Sequence, residues 1–281
     1  MKQIKIKCPA KINLTLEVVN KRPDGFHNIK SIMQMISLYD YITIKIKHAE
    51  TNQIVLSGNS NEIPYDERNL VYKACELFLK EAGITDLKIE IYIEKNIPIS
   101  AGLAGGSTDG AGTIYGLNKL LNIFDKEKLN DLCAQLGSDL NVCLNGGCIL
   151  ATSRGEITEP LPFVEEDVTL IKPINLGISA KEAYTKYSLK TEKPQNNMTK
   201  KMINALNNGT EIEPFLYNDL EYAVFDDYPE LQKIKKVYPQ AIMSGSGSTY
   251  FILENIKEAK LDKDYLVIND LKFVKNGVAE V

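Results

Sequence analysis

Histidine, tryptophan and paired cysteines are scarce or missing in this sequence. It has two histidines, no tryptophan and five cysteines, and no two cysteines form a Cys-x-x-Cys pair. This scarcity argues against a structural zinc site, which needs several histidine or cysteine ligands. An odd number of cysteines, lying mostly in apolar runs, is typical of reduced thiols in a cytosolic protein. Because residues 1–7 alternate charge with isoleucine, we expect no signal peptide and a cytoplasmic protein.

Long apolar runs and an excess of one charge are also missing. No stretch approaches the roughly 20 apolar residues that span a bilayer, so we expect no membrane partner. The 33 basic and 37 acidic residues give a net charge of -4, which provides no global field to attract nucleic acid. A chain of 281 residues that is 44% hydrophobic has globular composition and is long enough for about two domains.

Period-two alternation of apolar residues dominates the first half and predicts half-buried strands. The alternating runs lie at residues 4–6, 12–18, 42–46 and 87–93. Three helical stripes interrupt them, at residues 70–78, 111–121 and 129–136. Gly83 and Gly137 are the predicted ends of the first and third helices. With a proline- and acid-containing boundary at 159–167, we predict an α+β fold in two lobes, residues 1–160 and 161–281.

A glycine-rich loop between a predicted strand and a predicted helix is the strongest motif. It consists of Pro98, Ile99, Ser100, Ala101, Gly102, Leu103, Ala104, Gly105, Gly106, Ser107 and Thr108. Backbone amides there can approach an anion closely, and the following helix directs its positive end at the same point. Considered alone, the loop has the less favoured alternative interpretation of a flexible turn between a strand and a helix. It is neither a Walker A loop, because Ser107 rather than lysine follows Gly106, nor a GxGxxG fingerprint.

Four further segments have ordinary structural interpretations when each is taken alone. A glycine- and serine-rich stretch at residues 243–249 is typical of a hairpin turn, although two such loops suggest convergence on one phosphate. Lys11 lies on the polar face of a predicted strand, where a lysine is ordinarily solvated. Ser138 could cap a short helix, and Asp139 in its first turn would stabilise the helix dipole. His27, which follows a turn, would more often be structural.

Together these segments resemble the GHMP kinase superfamily, which binds ATP with a long glycine-serine loop. The matching segments follow the family's order over nearly the whole chain, at residues 9–14, 22–27, 98–108, 137–139, 146–147 and 243–248. The Pro-Ala-Lys-Ile-Asn start joined to Asp-Gly-Phe-His resembles one branch most closely. Its members phosphorylate the 2-hydroxyl of cytidylyl-methylerythritol in the non-mevalonate route to isopentenyl diphosphate.

The resemblance implies an ATP-binding lobe at residues 1–160, with the nucleotide on the loop at 98–108. It implies Lys11 and Asp139 as the catalytic pair. The substrate-binding residues that it implies are Asn13 at the methylerythritol portion, Phe26 and His27 at the cytosine, and Tyr184 on the opposite aromatic face. Mg²⁺ is expected from the chemistry of phosphoryl transfer, with no ligand assigned and Ser107 as a candidate neighbour. A monomer and a homodimer both stay open.

The chain departs from the family's pattern at four positions. Phe26 stands where the family often has tyrosine, and Ala104 replaces a frequent glycine, a mild change if its φ is negative. Asn141 and Ser153 replace a frequent proline and a frequent glycine. None of these changes touches the implied acid-base chemistry.

Two alternative functions remain at this stage. One is another kinase of the superfamily, acting on mevalonate or homoserine, and the Asp-Gly-Phe-His segment argues against it. The other is a non-enzymatic nucleotide- or RNA-binding protein on the same α+β lobe. The acidic balance and the lack of a basic cluster beside exposed aromatics argue against RNA.

Overall fold

A computed structural model describes residues 2–194 and 197–281 and places them in two β-sheets with helices against them. The strands are β1 (Lys2–Lys21), β2 (His27–His48), β3 (Gln53–Gly58), β4 (Leu87–Glu94), β5 (Cys148–Ser153), β6 (Ile157–Leu161), β7 (Asp167–Pro173), β8 (Tyr217–Asn218), β9 (Ile242–Met243), β10 (Tyr250–Ile252), β11 (Tyr265–Lys272) and β12 (Ala279–Glu280). The helices are α1 (Leu70–Ala82), α2 (Gly105–Leu121), α3 (Lys126–Leu136), α4 (Leu140–Asn145), α5 (Ala180–Leu189), α6 (Met198–Asn208), α7 (Asp219–Val224) and α8 (Pro229–Val237). Short 3-10 turns lie at Glu213–Phe215 and Phe225–Asp227. This mixture confirms the predicted α+β class.

The first sheet is built on the long antiparallel pair β1 and β2. Its order is β12-β1-β2-β4-β3, with β5 and then β6 extending from β2 and with β8 beside β1. The pairing of β1 with β2 is interrupted by bulges at Pro9/Ala10, Asn13/Thr15 and Val18/Asn20. Bulges bend a strand and redirect its side chains. They lie on the stretch of β1 that carries Lys11 and Asn13.

Helices α1, α2 and α3 confirm the three predicted helical stripes. The Asn69 side chain caps α1 by accepting from the Val71 N–H at 2.9 Å, and Gly83 ends it in the left-handed region at φ +66°. Helix α2 lies directly on the β1–β2 pair because Gly112 has no side chain: a Cβ there would lie 2.5 Å from Cys8 Sγ. This close contact fixes how near the middle of α2 lies to the sheet.

The second sheet has the order β11-β7-β10-β9. The two sheets share a hydrophobic core, in which Ile12 and Leu14 of β1 pack in one cluster with Met202 and Phe251. The strands β8 and β12 of the second half join the first sheet, and residue 160 lies inside β6. The division into lobes at residue 160 stays a prediction. No helix in the described part of the chain is sufficiently long and apolar to span a bilayer.

Candidate active site

Lys11 is buried, contrary to the solvated position that its strand pattern predicts. All of residues 8–16 in β1 are buried, on both faces of the strand, and Lys11 is only 4% exposed. Its backbone N–H donates to the carbonyl of Leu103 at 3.1 Å, so the glycine-rich loop covers the strand at this point. The alternation of β1 predicts one solvated face, but distant parts of the chain cover that face.

The Lys11 ammonium lies between an amide and a carboxylate. Its Nζ donates to Asn13 Oδ1 at 2.6 Å and lies 3.6 Å from Asp139 Oδ2. Asn13 is itself oriented by Ser31, because its Nδ2 donates to Ser31 Oγ at 2.8 Å. A buried ammonium needs such partners, since burial of an unpaired charge is costly. The arrangement therefore brings the two implied catalytic residues together and holds Asn13 beside them.

Asp139 has no capping role, although it stands at the start of a helix. Helix α4 begins at Leu140 with Asp139 itself as the N-cap residue, so the prediction that Ser138 caps this helix is wrong. The Asp139 side chain makes no capping hydrogen bond and is 31% exposed. The carboxylate approaches Lys11 instead of the free N–H groups of α4. Support of a helix end therefore does not account for this residue.

The glycine-rich loop turns sharply before it becomes α2. Ser100, Gly102 and Ala104 all have positive φ, and Ala104 at φ +59° is the N-cap residue of α2. Alanine would be a mild replacement only at a negative φ. The φ of Ala104 is positive and lies in the left-handed region that favours glycine, so the replacement is not mild. After this bend, the first turn of α2 borders the cavity that contains Lys11 and Asp139. Ser107 of that turn lines the same cavity.

The second glycine loop is a hairpin turn, as predicted, and it packs on the first loop. Strands β9 and β10 are antiparallel, with Met243 opposite Tyr250. Ser244 Oγ donates to the carbonyl of Gly102 at 3.0 Å, and a Cβ on Gly102 would lie 2.1 Å from the Ser244 carbonyl oxygen. An ideal Cβ on Gly245 would lie 3.3 Å from Lys11 Nζ. The two glycine loops therefore meet beside the buried lysine.

Two cavities share the glycine-rich loop as a wall. The larger one, of about 830 Å³, contains Lys11, Asn13, Asp139 and Ser107. The smaller one, of about 360 Å³, is lined by every residue from 98 to 106. Gly102 and Ala104 line both. Thr108 is buried inside α2 and lines neither of these two cavities. A group that passes between the cavities would pass this loop.

The larger cavity also contains the three residues implied at the cytosine, Phe26, His27 and Tyr184. Phe26 is 54% exposed, whereas His27 stacks on Tyr184 with 5.0 Å between ring centroids and 16° between planes. His27 Nε2 lies 3.0 Å from Ser188 Oγ. Burial, and secondarily Lys21 and Lys193, lower the pKa of His27, which favours the neutral ring. Tyr184 thus contacts His27, and its expected place across a base from Phe26 stays a prediction.

A buried charge cluster beside the smaller cavity was missed by sequence reasoning. Lys95 Nζ is bonded to Asp40 and lies 2.8 Å from Asp109 Oδ2. Asp40 Oδ1 also accepts from the backbone N–H of Ile97 at 2.8 Å. Burial raises the pKa of Asp109 to about 7, with Lys95 opposing the shift and Asp40 adding to it. The cluster ties β2 to both ends of the glycine-rich loop, and the only sequence signal is that Lys95 and Asp109 flank that loop.

Comparisons with known proteins decide the family. Residues 69–149 match the family described as GHMP kinases N terminal domain. The 4-diphosphocytidyl-2-C-methyl-D-erythritol kinase of Carboxydothermus hydrogenoformans is 38% identical over 278 residues, which cover 96% of this chain and 95% of that protein. The chain belongs to the 4-diphosphocytidyl-2-C-methyl-D-erythritol kinase family. A solved 4-(cytidine 5'-diphospho)-2C-methyl-D-erythritol kinase superposes with a TM-score of 0.73 at 29% identity, covering 89% of this chain and 90% of that one.

The same comparisons bear on the alternatives. A homoserine kinase from Cytophaga hutchinsonii superposes with a TM-score of 0.75 over 100% of this chain and 98% of its own, but at 19% identity. That likeness shows a shared fold alone. Membership in the 4-diphosphocytidyl-2-C-methyl-D-erythritol kinase family makes this chain an enzyme, and the non-enzymatic alternative is wrong.

The residues present fit the Mg²⁺ that kinase chemistry calls for. The described residues hold no group of three or more His, Cys, Asp or Glu side chains that could bind a metal ion by themselves. Mg²⁺ that travels with nucleotide phosphates needs only one or two protein oxygens. The Ser107 hydroxyl and the Asp139 carboxylate line the same cavity next to the glycine-rich loop. Of these two oxygens, the Ser107 hydroxyl is the one not paired with Lys11, and it would suit that task.

Proposed function

We propose that this chain transfers the γ-phosphate of ATP to the 2-hydroxyl of 4-(cytidine 5'-diphospho)-2-C-methyl-D-erythritol. The observation that carries the proposal is that Lys11 and Asp139 form a pair in the larger cavity. The glycine-rich loop separates this cavity from the smaller one and lines both. Such a pair meets the needs of phosphoryl transfer, which depends on positioning and charge stabilisation. The substrate follows from the family to which the chain belongs.

The smaller cavity is the proposed nucleotide site. Residues 98–106 line it, and the backbone at the start of α2 offers N–H groups and a positive helix end to phosphate oxygens. The γ-phosphate would then lie at Gly102 and Ala104, where the two cavities meet. This placement directs the transferred group toward Lys11.

Asp139 is the proposed acceptor of the hydroxyl proton. The substrate oxygen forms a bond to the γ-phosphorus, the bond from that phosphorus to the β,γ-bridging oxygen breaks, and ADP leaves. The acceptor is a tertiary alcohol with a very high pKa, so the proton moves to Asp139 together with or after phosphoryl transfer. Lys11 stabilises the negative charge on the substrate oxygen and on the transferring phosphoryl group. Asn13 holds the Lys11 ammonium in place and faces the methylerythritol portion.

The other end of the larger cavity is the proposed cytidine site. Phe26 offers an exposed ring for stacking, and Tyr184 adds a second aromatic side chain. Because Nε2 of the neutral His27 ring lies 3.0 Å from Ser188 Oγ, Nδ1 is the ring nitrogen left for the edge of cytosine. Mg²⁺ on the phosphates would supply charge neutralisation, and we propose the Ser107 hydroxyl as its protein neighbour.

A kinase assay tests the proposal directly. Purified protein with ATP and Mg²⁺ is offered the cytidylyl substrate, mevalonate or homoserine in parallel, and ADP release is coupled to NADH oxidation. We expect turnover with the cytidylyl substrate alone, and phosphorus NMR should locate the new phosphate on the tertiary carbon. Faster turnover with mevalonate or homoserine, or ATP hydrolysis without phosphate transfer, would contradict it.

A further inference from the structure

Two turns lie side by side at the cytidine end of the larger cavity. The Phe26 turn, residues 22–26, joins β1 to β2, and the Arg154 turn, residues 153–156, joins β5 to β6. Strand β5 pairs antiparallel with β2, with Ser153 opposite Ile29. The end of β5 therefore lies beside the start of β2, and the two turns are neighbours.

Polar contacts join the backbones of the two turns. Arg22 Nη1 donates to Ser153 Oγ at 3.2 Å, and Arg22 Nε donates to Asp24 Oδ2 at 3.0 Å. The backbone N–H of Phe26 donates to Asp24 Oδ1 at 3.1 Å. Ser153 Oγ in turn donates to Glu156 Oε1 at 2.9 Å. A continuous set of contacts thus runs from the Arg154 turn to the backbone of Phe26.

Ser153 gives this chain a link that a glycine could not provide. It lies at φ +61°, in the region that favours glycine, where the family's pattern often has that residue. The hydroxyl bonded to Arg22 and Glu156 exists only because serine stands there. This hydroxyl link between the two turns therefore depends on the serine at position 153.

Arg154 also contacts the Phe26 ring itself. The guanidinium carbon lies 5.3 Å from the ring centroid, and both side chains line the larger cavity. Glu156 holds Arg154, because its Oε2 accepts from the Arg154 N–H at 2.8 Å and its Oε1 lies 3.6 Å from Arg154 Nε. A phenyl ring has two faces, and a guanidinium on one of them leaves the other for a base.

We propose that Arg154 is a positioning residue for the cytidine end of the substrate. It covers one face of Phe26 and keeps the other face presented to the base. Without it, the half-exposed ring would have to be ordered when substrate binds, and that ordering reduces affinity. The inference rests on the proposed function, since it assumes that the base stacks on Phe26. It adds to that function a residue that never needs to touch the substrate.

Steady-state kinetics of Arg154→Ala, Arg154→Lys, Phe26→Ala and the double variant Phe26→Ala/Arg154→Ala test the proposal. We expect Arg154→Ala to raise the KM of the cytidylyl substrate about two- to fivefold, as for an exposed cation–π contact, with kcat and the KM of ATP unchanged. Arg154→Lys keeps a cation over the ring and should retain part of the effect. In the Phe26→Ala background, loss of Arg154 should change nothing further, because Arg154 acts through the ring.

A matched control is Lys119→Ala, which removes another cation from an aromatic ring, since Lys119 Nζ lies 5.4 Å from the Tyr115 centroid. Its substrate KM should be that of the unaltered chain. Affinity for CDP, measured by calorimetry, repeats the comparison without turnover and should fall by the same factor in Arg154→Ala.

The contrary outcomes are distinct. An equal KM change in the presence and absence of Phe26 would mean that Arg154 contacts the substrate directly. An unchanged or lower KM in Arg154→Ala would mean that the guanidinium is irrelevant or occupies the face that the base needs. Either result overturns the Arg154 proposal and leaves the kinase function intact. Failure of the unaltered chain to phosphorylate the cytidylyl substrate would overturn the proposed function instead.

Discussion

Lys11 and Asp139 approach each other to 3.6 Å between Nζ and Oδ2, although they are 128 positions apart in the chain. One comes from the middle of β1 and the other from the start of α4, and both line the larger cavity. The lysine is almost fully buried and the carboxylate is partly open. This asymmetry suits a fixed cation beside a carboxylate that substrate can reach.

Asp139→Asn should reduce kcat by roughly 10²- to 10⁴-fold, because the amide keeps the size of the side chain but cannot accept a proton. Since the carboxylate makes no capping bond, any loss of stability would come from the buried Lys11 ammonium, which keeps Asn13 as a partner. Lys11→Ala should cost a comparable factor, and the double variant should lose much less than the product. Rapid-quench kinetics and thermal melts measure both effects.

Asp125 provides the matched control, because it is also an N-cap aspartate. Its carboxylate accepts from the Lys128 N–H at 2.8 Å, so Asp125→Ala should cost about 1 kcal/mol of stability and leave kcat unchanged. If folded Asp139→Asn keeps most of its turnover, Asp139 is not the proton acceptor.

Gly106→Val should raise the KM of ATP at least about tenfold, because a branched side chain would occupy the space that a phosphate needs. The variant should fold, since a Cβ at Gly106 would meet no heavy atom within 4 Å, whereas one at Gly105 would lie 3.1 Å from Lys95 Nζ. Gly106→Ala should be intermediate. Unaltered ATP kinetics in a folded Gly106→Val protein would remove the loop from the nucleotide site.

Phe26→Ala should weaken binding of the cytidylyl substrate about 5- to 160-fold while the KM of ATP stays constant, because base stacking contributes roughly 1–3 kcal/mol. Stability should change little, since the side chain is half exposed. Phe26→Tyr keeps the ring and is the control. Equal losses for substrate and ATP would instead indicate a folding role for Phe26.

Ala104→Gly should increase the free energy of unfolding by about 0.5–1 kcal/mol, because glycine tolerates the φ of +59° found there. Ala134→Gly in α3 is the opposite control and should cost about 1 kcal/mol, since that position is helical. Urea denaturation measures both. A destabilised Ala104→Gly protein would show that packing of the methyl group outweighs backbone strain.

The pKa of Asp109 predicts a pH dependence of stability. A carboxyl whose pKa is raised from 3.8 to about 7 on folding favours the folded state at low pH, and this contribution is lost as pH rises through 7. Asp109→Asn cannot titrate, so its stability relative to the unaltered chain should improve by about 1 kcal/mol or more between pH 4 and pH 8. Thermal melts at both pH values measure the difference. A pH-independent difference would mean that Asp109 does not titrate in this range.

Local patterns were sufficient to predict the elements that depend on local interactions. The stripes of α1 to α3 and the glycine that ends α1 follow from the spacing of neighbouring residues, and they are confirmed. The meeting of the two glycine loops was suggested by composition alone, but its geometry depends on Ser244 packing against Gly102. Such a contact joins residues that no local pattern relates.

Burial and long-range pairing account for what the sequence could not predict. The sequence predicts a solvated Lys11, because the alternation of apolar and polar residues in β1 carries no information about the distant loop that covers this lysine. Asp40 lies in a strand 55 positions before Lys95, so nothing local indicates that it holds this lysine. Arg154 was missed for the same reason, since its contact with Phe26 depends on the pairing of β5 with β2.

The pairing of β12 with β1 has a consequence for biosynthesis. Ile6 lies opposite Glu280, and Val278 donates its N–H to the carbonyl of Cys143 in α4 at 3.0 Å. A ribosome adding 5–20 residues per second needs on the order of 10–50 s to make the chain between those partners. During that interval the nascent first strand has an unpaired edge, and α4 lacks its final support. The contacts of this segment with β1 and α4 therefore form after the rest of the fold has been synthesised, and until then the exposed edge of β1 is open to pairing with other chains.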